Sequence, residues 1–213
     1  MYIYCFITSK GMNMGIGNQS KTLTDTQIRL MTDYMKSTRY PDLNTLVFLL
    51  SIKGGLRAKE ISCLTWNMVL NSDNEVGDSI NLTNEASKGN SGRIIPMNKE
   101  LKQHLIKYYD SIKHRIWTNK LKETYVITSE RSNHVSAQVI VNNFQKWYKK
   151  VGYSGCSSHS GRRTFITNLS RKISLVGGSL NDVRLLAGHK NLQTTQRYIE
   201  YSTDSQKKVI DLL

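Results

Sequence analysis

The spacing of apolar and polar residues predicts a chain whose first elements are helices. In TLTDTQIRLMTDYMKS (22–37) the apolar residues fall on one helical face, and Thr24 and Gln27 have the form of a capping box. The near-continuous apolar run of DLNTLVFLLSIK (42–53) predicts a buried helix, which a double glycine ends. AKEISCLTW (58–66) then predicts a short helix.

The period changes from helical to alternating in the middle of the chain. SINLT (79–83) alternates apolar and polar residues, and GRIIPM (92–97) is rich in β-branched residues and contains a proline. The stretch between them, NEASKGNSG (84–92), is polar and rich in turn-forming residues. This pattern predicts two antiparallel strands joined as a hairpin.

Helical patterns resume after the hairpin and continue to the end of the sequence. They lie at residues 98–117, 136–151, 159–171 and 179–188, around Tyr198, and in the tail 202–213. The predicted fold class is therefore mainly α with a small antiparallel β-sheet (α+β). Residues 1–21 are glycine-rich and lack helical periodicity, so we expect a flexible N-terminal arm followed by one domain at 22–213.

Net charge adds a partner class to this picture. Thirty Lys and Arg residues against sixteen Asp and Glu residues leave a formal charge of +14, with a sequence pI near 9.7. An excess of this size in one domain favours a polyanionic partner, and nucleic acid is the first choice. The alternative is a soluble basic protein without such a partner, which the total alone leaves open.

Several kinds of chemistry have no signature in the sequence. The three cysteines are far apart and form no CxxC pair, which argues against a disulfide framework and a zinc site and fits a reducing, cytoplasmic location. Signal-peptide features and apolar stretches of membrane-spanning length are absent. Without GxxxxGK[ST], HExxH or GxSxG, we expect no nucleotide cofactor, no metal and no serine hydrolase.

A group of basic residues and one tyrosine remains to be explained. Taken singly, each has an ordinary structural reading as an exposed cation, a cap or a packed ring. Together they could surround a phosphodiester, since guanidinium groups bind its oxygens, lysine and histidine move protons, and tyrosine supplies a nucleophile. The candidates are Arg57, Lys88, His159, Arg162, His189 and Tyr198, with Glu60 beside the first arginine.

Four stretches carry these residues in an order that resembles a known family. GLRAKEISCLTW contains Arg57 and Glu60, SKGNSGRIIP contains Lys88, HSGRRTFIT contains the His-x-x-Arg pair, and LAGHKNLQTTQRYIEYS sets a tyrosine nine residues after Gly-His. The chain resembles the tyrosine recombinases, also called the phage-integrase family. The resemblance covers the family's catalytic domain, from about TLTDTQI to the tail, which is nearly all of the chain. In the second stretch, Arg93 and Pro96 occupy the places that the family pattern expects.

The resemblance implies a reaction on DNA that needs neither metal nor ATP. Tyr198 would attack a phosphodiester and form a 3′-phosphotyrosine link. Arg57, Arg162 and His189 would stabilise the phosphoryl oxygens. Lys88 would protonate the leaving 5′-oxygen, and His159 would assist proton transfer.

The resemblance also implies partners: double-stranded DNA, and further copies of the chain, as a dimer on each site and a tetramer in synapsis. Most family members carry a separate DNA-binding domain before the catalytic one, and the residues before Arg57 leave no room for it. The chain would then be a compact recombinase, a fragment, or one that needs an accessory or clamp-completing protein. The tail would dock either on its own core or on a neighbouring protomer.

Three residues bear on how closely the family pattern is followed. Gly161 stands where leucine is usual, and Arg163 stands where histidine is frequent. Tyr201 is a second possible nucleophile, although the spacing from Gly-His favours Tyr198.

Other functions share parts of this pattern. One alternative is a regulator or excision helper that keeps the fold without catalysis, against which the complete catalytic set argues. Another is a type IB topoisomerase-like enzyme, for which the chain is small. An RNA-binding module fits least, because the aromatic content is 8% and no RNP-like pattern is present.

Overall fold

The protein is described here by a computed structural model that covers residues 20–87, 89–116, 120–198 and 210–211. Nearly all of the expected N-terminal arm, Lys88, Tyr201 and most of the tail lie outside these residues. The helices are α1 (Asp25–Lys36), α2 (Pro41–Ile52), α3 (Ala58–Ser62), α4 (Lys99–Ile112), α5 (Ala137–Lys150), α6 (Ser160–Lys172), α7 (Leu180–Ala187) and α8 (Leu192–Gln196). Short 3₁₀ segments lie at Trp66–Met68, Lys113–Arg115 and Ile173–Val176.

The N-terminal helices form for the local reasons that the sequence predicts. At the start of α1, Thr24 Oγ1 accepts a hydrogen bond from the Gln27 amide at 3.2 Å, and Gln27 Oε1 accepts one from the Thr24 amide at 3.0 Å. This is the predicted capping box. Helix α2 is buried continuously from Thr45 to Ile52, as its apolar run requires. The expected mainly helical fold with a small antiparallel sheet is confirmed.

Helix α3 is shorter than the sequence predicts. It ends at Ser62 because the following backbone pairs with a distant segment instead of continuing the helix. Leu64 O accepts a hydrogen bond from the Val126 amide at 2.8 Å, and the Trp66 amide donates to Thr124 O at 3.1 Å. Helix α4 is also shorter than expected, because its last turn tightens into the 3₁₀ segment.

The predicted hairpin is present as strands β1 (Ser79–Leu82) and β2 (Arg93–Pro96). They pair antiparallel, with Ile80 opposite Ile95 and Leu82 opposite Arg93. Ile80, Leu82 and Ile95 point into the core, whereas Ile94 on the other face is exposed. The last pair of the ladder is Leu82 with Arg93, so the hairpin turn lies between these two residues.

Two groups of buried residues form the interior. The larger one contains residues from the first five helices and from both strands. Trp66, Phe48 and Phe144 are among its fully buried rings. The smaller one consists of Ile166, Val183 and Ala187 between α6 and α7, and Tyr198 packs against its edge. Within the described ranges, every helix is too short or too polar to cross a membrane.

Helices α2 and α6 approach each other closely at Gly161. A Cβ atom at this position would lie 2.3 Å from Ser51 Oγ and 3.0 Å from Ser51 Cβ. A side chain at this position would clash with Ser51 on α2, which explains why glycine stands in place of the usual leucine. This contact connects the larger core to the helix that carries Arg162.

Candidate active site

Arg57 is positioned by the turn between α2 and α3. Gly55 has φ of +65°, and a Cβ atom there would lie 2.3 Å from the Phe165 ring, so the turn requires glycine. Arg57 follows as the N-cap of α3, where its amide donates to Glu60 Oε2 and its Nη1 donates to Glu60 Oε1, both at 2.8 Å. These two hydrogen bonds to Glu60 hold Arg57 in place.

Glu60 is the buried anion beneath the cations of the site. Its side chain is fully buried, and Arg93 binds it at two points, 3.0 Å from Oε1 and 3.1 Å from Oε2. Burial acts to raise the pKa of Glu60, but the hydrogen bonds and charge of Arg93, the backbone hydrogen bond from Arg57 and the charge of Arg162 outweigh it and leave the pKa below its usual value. Glu60 is therefore ionised at neutral pH and holds its arginines in place.

Arg162 is the most buried cation of the site, with only 4% of its surface exposed. Its Nη1 donates to Gly55 O at 2.7 Å, and its Nη2 donates to Ala187 O. Burial, followed by the charge of Arg57, lowers the pKa of Arg162 to about 9, so the guanidinium stays protonated at neutral pH. Two carbonyls from different parts of the chain thus fix this charge.

His189 follows the glycine that ends α7. Gly188 has φ of +62°, and a Cβ atom there would lie 2.9 Å from Arg93 Nη1, so the predicted helix-ending glycine also makes room for the buried arginine. His189 is 6% exposed, and its Nδ1 lies 2.9 Å from Thr195 Oγ1. Burial and the charges of Arg162, Arg57 and Arg93 lower the pKa of His189 to about 4, so its ring is neutral at pH 7.

Tyr198 lies beside His189, just after α8. The two rings stack with centroids 5.5 Å apart and planes inclined by 25°. Arg163 Cζ lies 5.8 Å from the centroid of the Tyr198 ring. The Tyr198 amide donates to Thr195 O at 3.0 Å, which fixes the backbone from which the phenol projects.

These side chains border one cleft with a volume of about 460 Å³. The lining residues are Ser20, Arg57, His159, Arg162, Arg163, His189, Thr194, Arg197 and Tyr198. Four arginines and two histidines line it, and its described lining contains no carboxylate. Such a lining suits a phosphate or another oxyanion.

The structure brings together five of the six residues that the sequence selects. His159 is at the N-cap of α6 and exposed, and it lines the cleft with Arg57, Arg162, His189 and Tyr198. Lys88 and Tyr201 lie outside the described residues. Within the described ranges, no group of three or more His, Cys, Asp or Glu side chains could hold a metal ion.

The turn that carries Lys88 is anchored on both sides of it. Ser87 Oγ accepts from the Ser91 amide at 2.8 Å, and Asn84 Oδ1 accepts from the Gly92 amide at 2.9 Å. Beyond the turn, Arg93 Nε donates to Leu186 O at 2.8 Å. The hairpin is thereby tied to α7, directly before the Gly-His pair.

Sequence reasoning missed the roles of several residues that line the cleft or support those that do. Arg93 matched the family spacing but had no assigned function, although it links Glu60, the hairpin and α7. Thr195 had no visible signal, because a buried threonine cannot be told from an exposed one by residue type. Arg163 was noted only as a departure from the family pattern, and Arg197 not at all.

Comparison with known proteins gives one family. The family model described as "Phage integrase family" matches residues 21–204. "Tyrosine recombinase XerD" of Rickettsia prowazekii is 29% identical over 194 residues, which cover 86% of this chain and 60% of that protein. The chain thus spans about 60% of the length of this relative.

Solved structures share the fold. The Tn1549 transposon integrase in complex with a circular intermediate DNA has a TM-score of 0.69 and 18% identity, covering 92% of this chain and 66% of that one. A lambda integrase dimer bound to a COC′ core site has a TM-score of 0.62 and 17% identity, and the match covers 87% of this chain and 63% of the lambda integrase chain.

Proposed function

Because this chain belongs to the phage integrase family, we propose that it is a site-specific tyrosine recombinase that cleaves and rejoins DNA through Tyr198. The single observation that carries the proposal is the shared cleft: a tyrosine, two histidines and four arginines line it without a carboxylate among the described lining residues. A phosphodiester supplies the negative charge that this lining lacks. The relative named XerD is longer than the part that this chain matches, so the activity of a whole recombinase is part of the proposal.

The cleavage step uses each cleft residue in a different way. The Tyr198 hydroxyl attacks phosphorus, the P–O5′ bond breaks, and a 3′-phosphotyrosine link forms. His159 assists removal of the phenol proton, and Lys88 donates a proton to the leaving 5′-oxygen. A 5′-hydroxyl from a partner strand reverses the step, so that the energy of the phosphodiester is conserved.

Charge stabilisation in the transition state is the task of the fixed cations. Arg57 and Arg162 are held by Glu60 and by backbone carbonyls before any substrate arrives. Preorganised donors of this kind avoid reorganisation at the moment of reaction, and loss of one costs roughly 10²–10³ in rate. His189 adds a neutral hydrogen-bond donor to the same oxygens.

A covalent trap tests the proposal. Nicked duplexes tiled from the DNA that flanks the gene are mixed with the wild-type protein, Tyr198→Phe and Tyr201→Phe. We expect an SDS-resistant protein–DNA adduct that requires Tyr198 but not Tyr201. Tight binding without an adduct would favour the non-catalytic regulator, and relaxation of supercoiled plasmids that lack the site would favour the topoisomerase-like enzyme.

We extend the proposal to a phage or another mobile element as the source of the recombined DNA. The description of the family as phage integrases and the fold shared with a transposon integrase support this extension. The relative from Rickettsia prowazekii is named XerD, a name that mentions neither a phage nor a mobile element, and therefore does not support it. Comparing the duplexes tiled from the DNA that flanks the gene with a second set tiled from the rest of the chromosome separates the two origins. Adducts confined to the DNA next to the gene support a mobile element, and adducts only at a distant chromosomal site contradict it.

The proposed partners are double-stranded DNA and further copies of this chain, acting in the cytoplasm. The net charge of +14 and the lambda integrase dimer on its core site support these partners. A dimer on each site, a tetramer in synapsis and an accessory DNA-bending or clamp-completing protein belong to the same proposal. Removing the last ten residues tests whether the tail connects protomers, since loss of multimers on DNA with retained monomer binding is then expected.

The N-terminal arm, followed by a catalytic domain at 22–213, is part of this proposal. Ser20 lines the cleft and its Oγ lies 2.5 Å from Ser157 Oγ, while the Lys21 amide donates to Gly155 O at 3.0 Å. The preceding residues therefore join the domain at the edge of the cleft, where DNA would lie. Deleting residues 1–19 should weaken DNA binding or assembly, and unchanged binding and recombination would rule out this role.

A further inference from the structure

Thr195 makes the direct hydrogen bond to the ring of His189. It lies on α8, is completely buried, and places Oγ1 2.9 Å from His189 Nδ1. Among the described residues, Nε2 of the same ring has no hydrogen-bond partner. Nε2 is therefore the ring nitrogen that remains for a ligand in the cleft.

The direction of this hydrogen bond follows from the chemistry of a buried hydroxyl. The hydroxyl hydrogen needs an acceptor, because a buried polar group without a partner is costly. Within the described part of the chain, Nδ1 is the only partner of Thr195 Oγ1. Thr195 must then donate to Nδ1, which requires that Nδ1 carry no proton.

We infer that Thr195 is a positioning residue that holds His189 in the tautomer with its proton on Nε2, aimed at an anion in the cleft. The lowered pKa of His189 supports this arrangement, because a neutral ring has one proton to share between its two nitrogens. The inference rests on the proposed function only in naming the anion as the phosphate of DNA. The tautomer itself is a property of the free protein.

The same short segment also positions the proposed nucleophile. The Tyr198 amide donates to the backbone oxygen of Thr195, while the side chain of Thr195 bonds to His189. The His189 and Tyr198 rings stack on each other. Thr195 thus fixes the position of His189, which donates a hydrogen bond to the phosphate, relative to Tyr198, whose phenol attacks it.

Nitrogen-15 NMR of the histidine rings tests the tautomer directly. The chain has five histidines, and His189→Gln identifies the resonances of His189 by their loss. At pH 7 the wild-type protein should show a one-bond nitrogen–proton correlation at Nε2 and an unprotonated Nδ1. A one-bond correlation at Nδ1 would overturn the inference, whether or not the protein cleaves DNA.

Two substitutions at Thr195 test the positioning role. Thr195→Val keeps the shape of the side chain without the hydroxyl, and Thr195→Ser keeps the hydroxyl. In Thr195→Val the Nδ1 resonance should move toward that of a free ring nitrogen, and the response of Nε2 to added inorganic phosphate should weaken. Thr195→Ser should retain both signals.

The rate of adduct formation at saturating DNA provides a second measurement. Thr195→Val should reduce it about tenfold, which corresponds to roughly one hydrogen bond, while Thr195→Ser stays within about threefold of wild type. Equal losses in both variants, or no loss in Thr195→Val, would contradict the positioning role. If the wild-type protein forms no adduct, the proposed function fails while the NMR result still decides the tautomer.

Discussion

Arg93 binds the carboxylate of Glu60 with both terminal guanidinium nitrogens, at 3.0 Å and 3.1 Å, although the two residues are 33 positions apart. Both side chains are buried, with exposed fractions of 6% for Arg93 and 0% for Glu60. The third guanidinium nitrogen of Arg93 donates to Leu186 O. One arginine therefore links the hairpin to two segments, to that of Arg57 by an ion pair and to that of His189 by a hydrogen bond.

Removing Arg93 should destabilise the protein strongly. Arg93→Met keeps the length of the side chain but leaves the buried carboxylate of Glu60 with Arg57 as its remaining hydrogen-bonding cation. Loss of one partner of a buried pair costs about 3–5 kcal/mol in unfolding free energy, which denaturant titration measures. Arg93→Lys should fall between wild type and Arg93→Met, because an ammonium cannot reproduce the two-point contact.

An exposed ion pair provides the control for Arg93. Lys36 and Asp33 are 2.8 Å apart with two thirds of each side chain exposed, so Lys36→Met should cost less than about 1 kcal/mol. A cost for Arg93→Met as small as that for Lys36→Met would contradict the anchoring role of the buried pair.

The parts of the fold that depend on nearby residues were predictable from the sequence. The capping box at Thr24 and the glycine that ends α7 are determined by residues within a few positions of one another, and the hairpin joins two consecutive strands. The grouping of Arg57, Arg162 and Tyr198 was also predicted, because their motifs match a family pattern. The structure brings these three side chains to one cleft.

Features that depend on tertiary packing were not predictable. The burial of Arg93 against Glu60 requires the hairpin to lie on α3 and α7, which no local pattern encodes. The end of α3 at Ser62 is set by backbone pairing with residues near Val126. The bond between Thr195 and His189 depends on how α8 folds back, since a separation of six positions does not fix a side-chain contact.

Gly161→Ala should destabilise the protein even though alanine is the better helix former. The new methyl group would lie 2.3 Å from Ser51 Oγ, so α6 must move away from α2, at a cost of about 1–3 kcal/mol. Ser51 Oγ has no hydrogen-bond partner in the described structure, so removing it sacrifices no such bond. Denaturant unfolding of both single variants and the double variant Gly161→Ala/Ser51→Gly measures the coupling between these positions.

The expected coupling has a definite sign. In the Ser51→Gly background, Gly161→Ala should cost at least roughly 1 kcal/mol less than in the wild-type background, because the clashing atoms are gone. Strictly additive costs would show that the two helices do not meet at these positions.

The neutral state of His189 predicts a pH dependence of stability. Its pKa in the folded protein is about 4, against about 6.5 in an unfolded chain. The charged or titratable groups that face the ring are Arg57, Arg93, Arg162 and Tyr198. Between pH 6.5 and 4 the unfolded chain binds a proton that the folded protein excludes, so this contribution to stability falls as the pH falls.

His189→Asn isolates that contribution, because it removes the titrating group while leaving the other acids and bases in place. The unfolding free energy of wild type relative to His189→Asn should decrease by up to roughly 3 kcal/mol between pH 7 and pH 4. Denaturant titrations at four pH values across this range measure the difference. The same substitution at exposed His114 is the control, and a difference for His189→Asn that stays constant with pH would contradict the low pKa.

Arg163 should assist cleavage by holding the ring of Tyr198, with its guanidinium carbon 5.8 Å from the ring centroid. A cation–π contact of this kind contributes about 0.5–1 kcal/mol, so Arg163→Gln should slow adduct formation at saturating DNA by roughly two- to fivefold. Arg163→Lys keeps a charge near the ring and should lose less. Arg171→Gln, on the same helix but away from the cleft, is the matched control for the loss of one positive charge. If Arg163→Gln weakens DNA binding as its main effect and leaves the saturated rate unchanged, Arg163 contacts DNA and does not orient the tyrosine.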